Sequence, residues 1–386
     1  MTQYKIEKPN MSVISEGRKK YLNENLYDIY FSEWLYEYSN EKYYYWDKIK
    51  YQKLWKNLQT PEELWYVIKR MRQTWIPTII KSKEWKRFTL SKPLFLDELL
   101  HKIDLELWGN FFDSHLTKQE RRIFLQNGIA EEAISSSQIE WALTSSKVAK
   151  DMINQWRKPI TNHEKMIINN YNEMKNQELT LELLIELQAL LTKETLENSD
   201  YVGRLRKDSG EINVTNASGT KIYHVLPNEE ILEKELENFI NFANDKEDYI
   251  FTHPFVKAVM LHFWIGYLHP FCDGNWRTAR AIFYWYLLKK WYWGFSYIPI
   301  STTIKNSKVE YGNAYLYSEQ DDENLTYFLV YIAQKTILAQ KNFNTYIKEK
   351  REKQKEIYQE LHHLGMNERQ GKLITYFFRE SEKLYK

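Results

Sequence analysis

A chain of 386 residues with 54 Lys and Arg against 52 Asp and Glu carries a formal net charge of +2 with its signs well mixed, so no basic face for nucleic acid is demanded. One cysteine, Cys272, excludes an internal disulfide framework and a cysteine metal cluster. The start, Met1 to Val13, has no apolar signal region, and Lys289 and Lys290 break the longest aromatic stretch before it reaches the roughly 18 residues of a membrane span, so a soluble cytoplasmic protein with no membrane partner is expected.

In chain order, residues 1–115 read as a separate N-terminal unit. Tyr27 to Lys56 is crowded with aromatics, which are taken as core, and Thr60-Pro-Glu-Glu63 is a helix start with a capping hydroxyl and a proline at the first position. Lys81 to Leu90 suits a small hairpin. Helical patterns follow at Leu181 to Leu196 and Glu229 to Asn244. Between them, Glu211 to Thr215 and Lys221 to Leu226 alternate in period two around the turn Asn216-Ala-Ser-Gly219, the pattern of a β-hairpin. Pro254 to Leu268 is almost wholly apolar and ends at the Pro270 breaker, which predicts a central buried helix. Asn275 to Lys290 is again helix-like, with Arg277 and Arg280 on one face. Asn324 to Leu364 reads as one long helix that becomes charged from Lys348 onward, closed by Gly365 and followed by a last helix at Glu368 to Glu380. The fold class is mainly α.

The twelve residues from His269 to Arg280, HPFCDGNWRTAR, carry the chemistry. Between two helices the segment must be a tight loop feeding a helix N-terminus, where free backbone N–H groups and the positive dipole end favour an anion. An imidazole at the loop entrance can take a proton from a hydroxyl, so His269 is the candidate base. Asp273 can hold Mg²⁺ through one oxygen while water and phosphate fill the other positions. Gly274 supplies the turn, Asn275 is a natural N-cap, and the guanidiniums of Arg277 and Arg280 suit phosphate oxygens. Cys272 reads as filler rather than a nucleophile.

This segment resembles the Fic signature, His-Pro-Phe-x-Asp/Glu-Gly-Asn-Gly/Lys-Arg-x-x-Arg, at every specified position except Trp276, which stands where the family has Gly or Lys. Glu131 to Ala142, EEAISSSQIEWA, is similar to the family's inhibitory helix motif, with Ser136 and Glu140 in the specified places and Trp141 where Gly is usual. Asn154 to Tyr171 resembles the segment that follows that helix, and Gly203-Arg-Leu-Arg206 precedes the hairpin. The resemblance covers about residues 116 to 345 and implies a helical Fic bundle with an inhibitory helix near 129–145 and a hairpin flap near 211–226. Residues 346–386 would be a helical extension resembling the start of a truncated winged helix, too short to read nucleic acid alone.

The same resemblance implies a function. A protein adenylyltransferase would move AMP from ATP, with Mg²⁺, to a Ser, Thr or Tyr hydroxyl of a protein target docked on the flap by strand addition. His269 would be the base, Asp273 the metal ligand, and Gly274, Asn275, Trp276, Arg277 and Arg280 the phosphate site. Ser136 and Glu140 would belong to a brake in which the Glu140 carboxylate competes with phosphate for Arg280. Such a chain is also compatible with a homodimer.

Trp141, Trp156, Trp276 and Trp291 all stand where the family pattern has Gly, and Trp85 lies in a turn-like run. The 12 Gly are under half of the roughly 7% usual share, while Trp reaches 14. One base separates GGA from TGA, so a gene whose lineage reads TGA as glycine would give this pattern when TGA is translated as Trp. If Trp276 is real, its indole can fill the nucleotide pocket, and the alternatives are an impaired Fic-fold binding module or an enzyme with another phosphate-linked transfer or AMP removal.

Overall fold

The computed structural model describes residues 2–30, 35, 37–54, 57–72, 75–109, 118–139, 177–192, 196, 198–207, 214–215, 221–246, 251–363 and 370. The chain divides into two compact units, Met1–Thr336 and Ile337–Lys386.

The first unit opens with strand β1 (Thr2–Gln3) and helices α1 (Glu16–Glu24), α2 (Leu26–Tyr30) and α3 (Trp46–Ile49). Helix α4 (Pro61–Met71) begins as its sequence predicts: the Thr60 hydroxyl accepts the Glu63 amide and Pro61 occupies the first turn. Its buried stripe of Leu64, Val67 and Ile68 packs with Leu22, Ile29 and Ile49 in one apolar cluster. The expected aromatic core is there too. Tyr45 stacks on Tyr317 at 4.4 Å between ring centroids, and the Arg72 guanidinium lies 3.8 Å over the Tyr43 ring.

Strands β2 (Trp75–Lys81) and β3 (Arg87–Ser91) form an antiparallel hairpin. Its first arm starts at Trp75, earlier than the sequence pattern placed it, because Pro77 and a register shift before Lys81 interrupt the alternation that marks a strand. Helix α5 (Leu94–Leu107) follows, and α6 (Lys118–Ile139) begins well before the 129 expected for the inhibitory helix. Glu140, Trp141 and Trp156 lie outside the described residues.

The centre is built from α7 (Leu181–Thr192), α8 (Glu229–Ala243), α9 (Pro254–Leu268) and α10 (Asn275–Lys289). Every residue of α9 from Phe255 to Leu268 is buried, including Lys257, whose ammonium pairs with Asp245 at 2.6 Å. The continuous apolar run of the sequence thus becomes the axis of the bundle. The flap consists of β4 (Val214–Thr215) and β5 (Lys221–His224), paired antiparallel as the alternation predicted. The sheet has a third member: β1 lies parallel to β5, giving the order β1-β5-β4. Helices α11 (Ile300–Lys305), α12 (Lys308–Gln320) and the start of α13 (Thr326–His363) complete the unit. Among the described residues no helix is long and apolar enough to cross a membrane.

In the second unit the described residues are the rest of α13 and Gln370. Lys348 and Glu352 face each other there at 4.0 Å, one turn apart on a charged helix surface. Gly365 and all of the predicted last helix except Gln370 lie outside the described residues.

Among the described residues, two tryptophans have left-handed backbones, Trp85 at φ 62° and Trp291 at φ 69°, a region that costs an L-residue roughly 1–2 kcal/mol. Both lie at the surface, Trp85 40% and Trp291 64% exposed.

Candidate active site

Helix α9 ends at His269, which closes it in the left-handed region at φ 50° and ψ 56°. The His269 amide still donates to the Ile265 carbonyl at 2.9 Å. Its Nδ1 lies 3.3 Å from the Gly266 carbonyl oxygen, which can only accept, so Nδ1 carries the proton and Nε2 keeps a lone pair. Burial is the main cause that pushes the His269 pKa down to about 3, helped by His224 and Arg206 and opposed by the Gly266 carbonyl. The imidazole is therefore neutral at physiological pH.

Arg206 holds this helix end. Buried at 3% exposure, it donates Nε to the His269 carbonyl at 2.8 Å and Nη2 to the carbonyls of Leu268 at 3.0 Å and Pro227 at 2.8 Å. A cation on the last carbonyls of a helix satisfies acceptors that no further turn can reach and suits the dipole. The Arg206 amide also donates to the Pro270 carbonyl at 2.9 Å, and the Cys272 amide donates to the Arg204 carbonyl at 3.1 Å. Sequence reasoning passed over this arginine because a single cation ahead of a hairpin has no periodicity to mark it. We expect Arg206→Met to cost about 3 kcal/mol or more in chemical denaturation, since it leaves three buried carbonyls to share fewer donors.

Asn275 does not cap helix α10. Gly274 is the capping residue, and Asn275 is the first helical residue. Its side chain instead clamps the loop, with Oδ1 accepting the Phe271 amide and Nδ2 donating to the Phe271 carbonyl, both at 2.8 Å. An amide side chain has both a donor and an acceptor, and pairing both inside the loop outweighs the single bond of a cap. Gly274 is required twice over: its φ is 77°, and a Cβ there would sit 2.4 Å from Thr192 Cγ2. Gln188 on α7 supports the same turn, donating to the Asp273 carbonyl at 2.9 Å and accepting the Gly203 amide at 2.6 Å. It too went unnoticed in the sequence, where it lies on a plain amphipathic helix.

The residues expected to bind an anion lie at the start of α10. At a helix start the first-turn amides have no intrahelical partner, and in α10 these include those of Asn275 and Trp276. The Asp273 side chain is exposed, and its Oδ1 accepts the Gly274 amide at 2.5 Å. Arg277 reaches toward α7, where Nη1 donates to the Leu191 carbonyl at 3.3 Å. Arg280 turns the other way, donating Nε to Ser136 Oγ at 2.8 Å and Nη2 to the Ser136 carbonyl at 2.9 Å. The structure thus brings Ser136 on α6 to Arg280, while the two arginines serve different neighbours.

Helix α6 is fixed against α10 by Glu132, one turn before Ser136. The Glu132 carboxyl takes the Tyr284 hydroxyl at 2.8 Å, the Ser301 amide at 2.9 Å and the Ser301 hydroxyl, and burial raises its pKa. On the flap side, His224 bridges the Tyr267 carbonyl at 2.6 Å and Glu319 at 2.8 Å, tying β5 to the residues just ahead of His269.

Trp276 points inward. Its ring meets those of His269 at 5.8 Å, Tyr311 at 5.8 Å and Tyr315 at 4.7 Å, all edge to face. It also lies against the backbone of Gly266, where a Cβ would come within 2.8 Å of the indole. The indole is therefore packed among His269, Gly266, Tyr311 and Tyr315.

Among the described residues no group of three or more His, Cys, Asp or Glu is placed to hold a metal ion by itself. The exposed carboxylate of Asp273 beside the start of α10 could hold Mg²⁺, which commonly takes one protein carboxylate and completes its shell with phosphate and water.

The Fic/DOC family profile matches residues 178–287. Three curated relatives are named protein adenylyltransferase: one from Nematostella vectensis, 42% identical over 59 residues, one from Aedes aegypti, 35% over 69, and one from Caenorhabditis briggsae, 30% over 108. Those segments cover 15%, 18% and 28% of this chain, and the chain spans only 14%, 14% and 19% of the relatives' lengths. Among solved structures, a Fic family protein from Desulfovibrio desulfuricans G20 aligns over 71% of this chain and 77% of its own, at 16% identity and a TM-score of 0.51. Fic-1 from C. elegans aligns over 66% and 73%, at 16% identity and a TM-score of 0.50. At that identity the likeness speaks for the fold alone. Signature, fold and sequence matches converge on one assignment: residues 178–287 of this chain are a Fic domain.

Proposed function

We propose that this chain transfers AMP from ATP to a hydroxyl group of a protein target and restrains itself through helix α6. The observation that carries the reading is the state of His269, a neutral imidazole with Nδ1 on the Gly266 carbonyl and Nε2 left as the acceptor, five residues ahead of the helix start at Gly274. The target hydroxyl attacks the α-phosphorus, its proton passes to Nε2, and the bond from that phosphorus to the bridging oxygen breaks with release of pyrophosphate. The amides of Asn275 and Trp276 and the guanidiniums of Arg277 and Arg280 neutralise the phosphates, so most of the acceleration comes from positioning and charge. Mg²⁺ on Asp273, when bound, would neutralise charge on the phosphate oxygens. Ser136 holds Arg280, and Glu140 adds the carboxylate that competes for the same guanidinium. The reading predicts ATP-dependent pyrophosphate release on adding a hydroxyl-bearing acceptor, and its absence in His269→Asn would tie the release to this residue.

One observation favours a second reading, a Fic-fold binding module without turnover: the Trp276 ring packed on His269, Tyr311 and Tyr315. Calorimetric titration with Mg-ATP separates the two. We expect Trp276→Gly to tighten binding at least tenfold, by freeing the space an indole fills; unchanged, undetectable binding in that variant favours the module.

A further inference from the structure

Strand β5 has two edges, and this chain covers both of them. Strand β4 takes one, while Thr2–Gln3 of β1 takes the other in parallel register, Thr2 opposite Lys221 and Gln3 opposite Ile222. The Tyr4 amide extends the ladder by donating to the Ile222 carbonyl at 2.8 Å, and the Tyr4 ring meets Tyr223 edge to face at 5.0 Å. Just beyond, Gln320 grips the segment at both ends, accepting the Ile6 amide at 3.0 Å and donating to the Tyr4 carbonyl at 3.1 Å. A strand edge is a template for an extended peptide, and a two-residue strand is a weak occupant. Side chains alternate, so Gln3 shares the sheet face of Ile222 and His224, and His224 is the residue bound to the Tyr267 carbonyl ahead of His269.

We propose that residues 2–4 are a tethered, displaceable occupant of the edge on which an extended protein segment docks, and that they present Gln3, which has no hydroxyl, on the catalytic side. The occupancy is independent of the reaction, whereas the pseudosubstrate role rests on the AMP-transfer reading. Tyr4→Pro in the full chain removes the amide that bonds Ile222. Amide exchange of residues 221–224 should then speed up about tenfold, and unchanged exchange overturns the occupancy. Gln3→Ser should acquire an adenylyl group at residue 3 at a rate independent of protein concentration. A chain that labels other hydroxyls and leaves this serine untouched overturns the placement. Faster exchange with no labelling at any hydroxyl supports the occupancy and counts against the AMP-transfer reading alone.

A second inference rests on backbone geometry. Trp291 closes helix α10 in the left-handed position, with its amide on the Leu288 carbonyl at 3.1 Å and the Tyr292 amide on the Leu287 carbonyl at 3.0 Å. This is the paired-bond helix end in which glycine is the usual residue. Trp85 donates to the Ser82 carbonyl at 2.8 Å and sits left-handed just before β3, while the Ser82 amide bonds the Lys86 carbonyl at 2.7 Å. A turn followed by a left-handed residue in a short hairpin likewise calls for glycine. We infer that Trp85 and Trp291 are glycine in the protein its own ribosomes make, through TGA codons. Reading the gene decides it. TGA at codons 85 and 291 with TGG at the core residues Trp264 and Trp285 supports the inference; TGG at all four overturns it. At the protein level, Trp291→Gly should raise the denaturation midpoint, and a lowered midpoint counts against a glycine position.

Discussion

On the proposed AMP-transfer reading, His269→Asn should lower the rate by a factor of about 10²–10⁴, the usual contribution of a positioned general base, while leaving the fold in place. Asparagine is the informative choice because His269 is left-handed at φ 50°, a conformation asparagine tolerates, whereas alanine would add strain to the loss of the base. The pH dependence is specific as well. With its pKa pushed down to about 3, the free protein keeps His269 neutral across pH 5–8, so the rate should show no acid limb near the ordinary histidine value of 6.5. Stability behaves differently. Between about 3 and 6.5 the unfolded chain binds a proton at this residue that the folded chain refuses, so stability rises with pH through that window and is lost as the solution is acidified. His262, also buried and held well below the usual range, adds to the same slope. His269→Asn should therefore denature with a shallower dependence on pH in that window. A steep acid limb near 6.5 in the wild-type rate would contradict the assigned state of the imidazole.

Releasing Arg280 has the opposite effect. The guanidinium gives two hydrogen bonds to Ser136, one to the hydroxyl and one to the carbonyl, and on the proposed reading each would be exchanged for a phosphate contact when ATP binds productively. A hydrogen bond to a charged group is worth about 1.5–3 kcal/mol, so removing one restraint should raise transfer by roughly 10- to 150-fold. Ser136→Ala removes only the hydroxyl contact, and Glu140→Gly removes the competing carboxylate. The double variant should therefore exceed either single one. Glu132 limits how far the helix can withdraw, because its carboxyl anchors α6 to Tyr284 and Ser301 whatever Ser136 does. Steady-state labelling of the three variants tests this, and equal rates in wild type and double variant would remove the brake from the mechanism.

Much of this architecture could be read from the chain because the signals are local. The apolar run from Pro254 to Leu268 becomes a fully buried helix, the Thr60-Pro61 start caps as written, and the alternation on either side of residue 216 becomes the flap. What the chain conceals is long-range pairing by side chains that carry no pattern. Arg206 on three carbonyls, Gln188 under the Asp273 turn and Glu132 between α10 and α11 are single polar residues whose partners lie far away in sequence. The Asn275 cap failed for a related reason, since local preference cannot weigh a cap against a clamp formed with Phe271. The parallel seat of β1 on the flap was equally hidden, because a two-residue strand is too short for alternation to register.

The most direct test of AMP transfer is a comparison of ATP labelled at the α-phosphate with ATP labelled at the γ-phosphate, using the full chain carrying Trp276→Gly and Glu140→Gly. The α label should become covalently attached to protein, the γ label should leave as pyrophosphate, and His269→Asn in the same background should stop both. Attachment of the γ label, or α label attached equally without the imidazole, would contradict it.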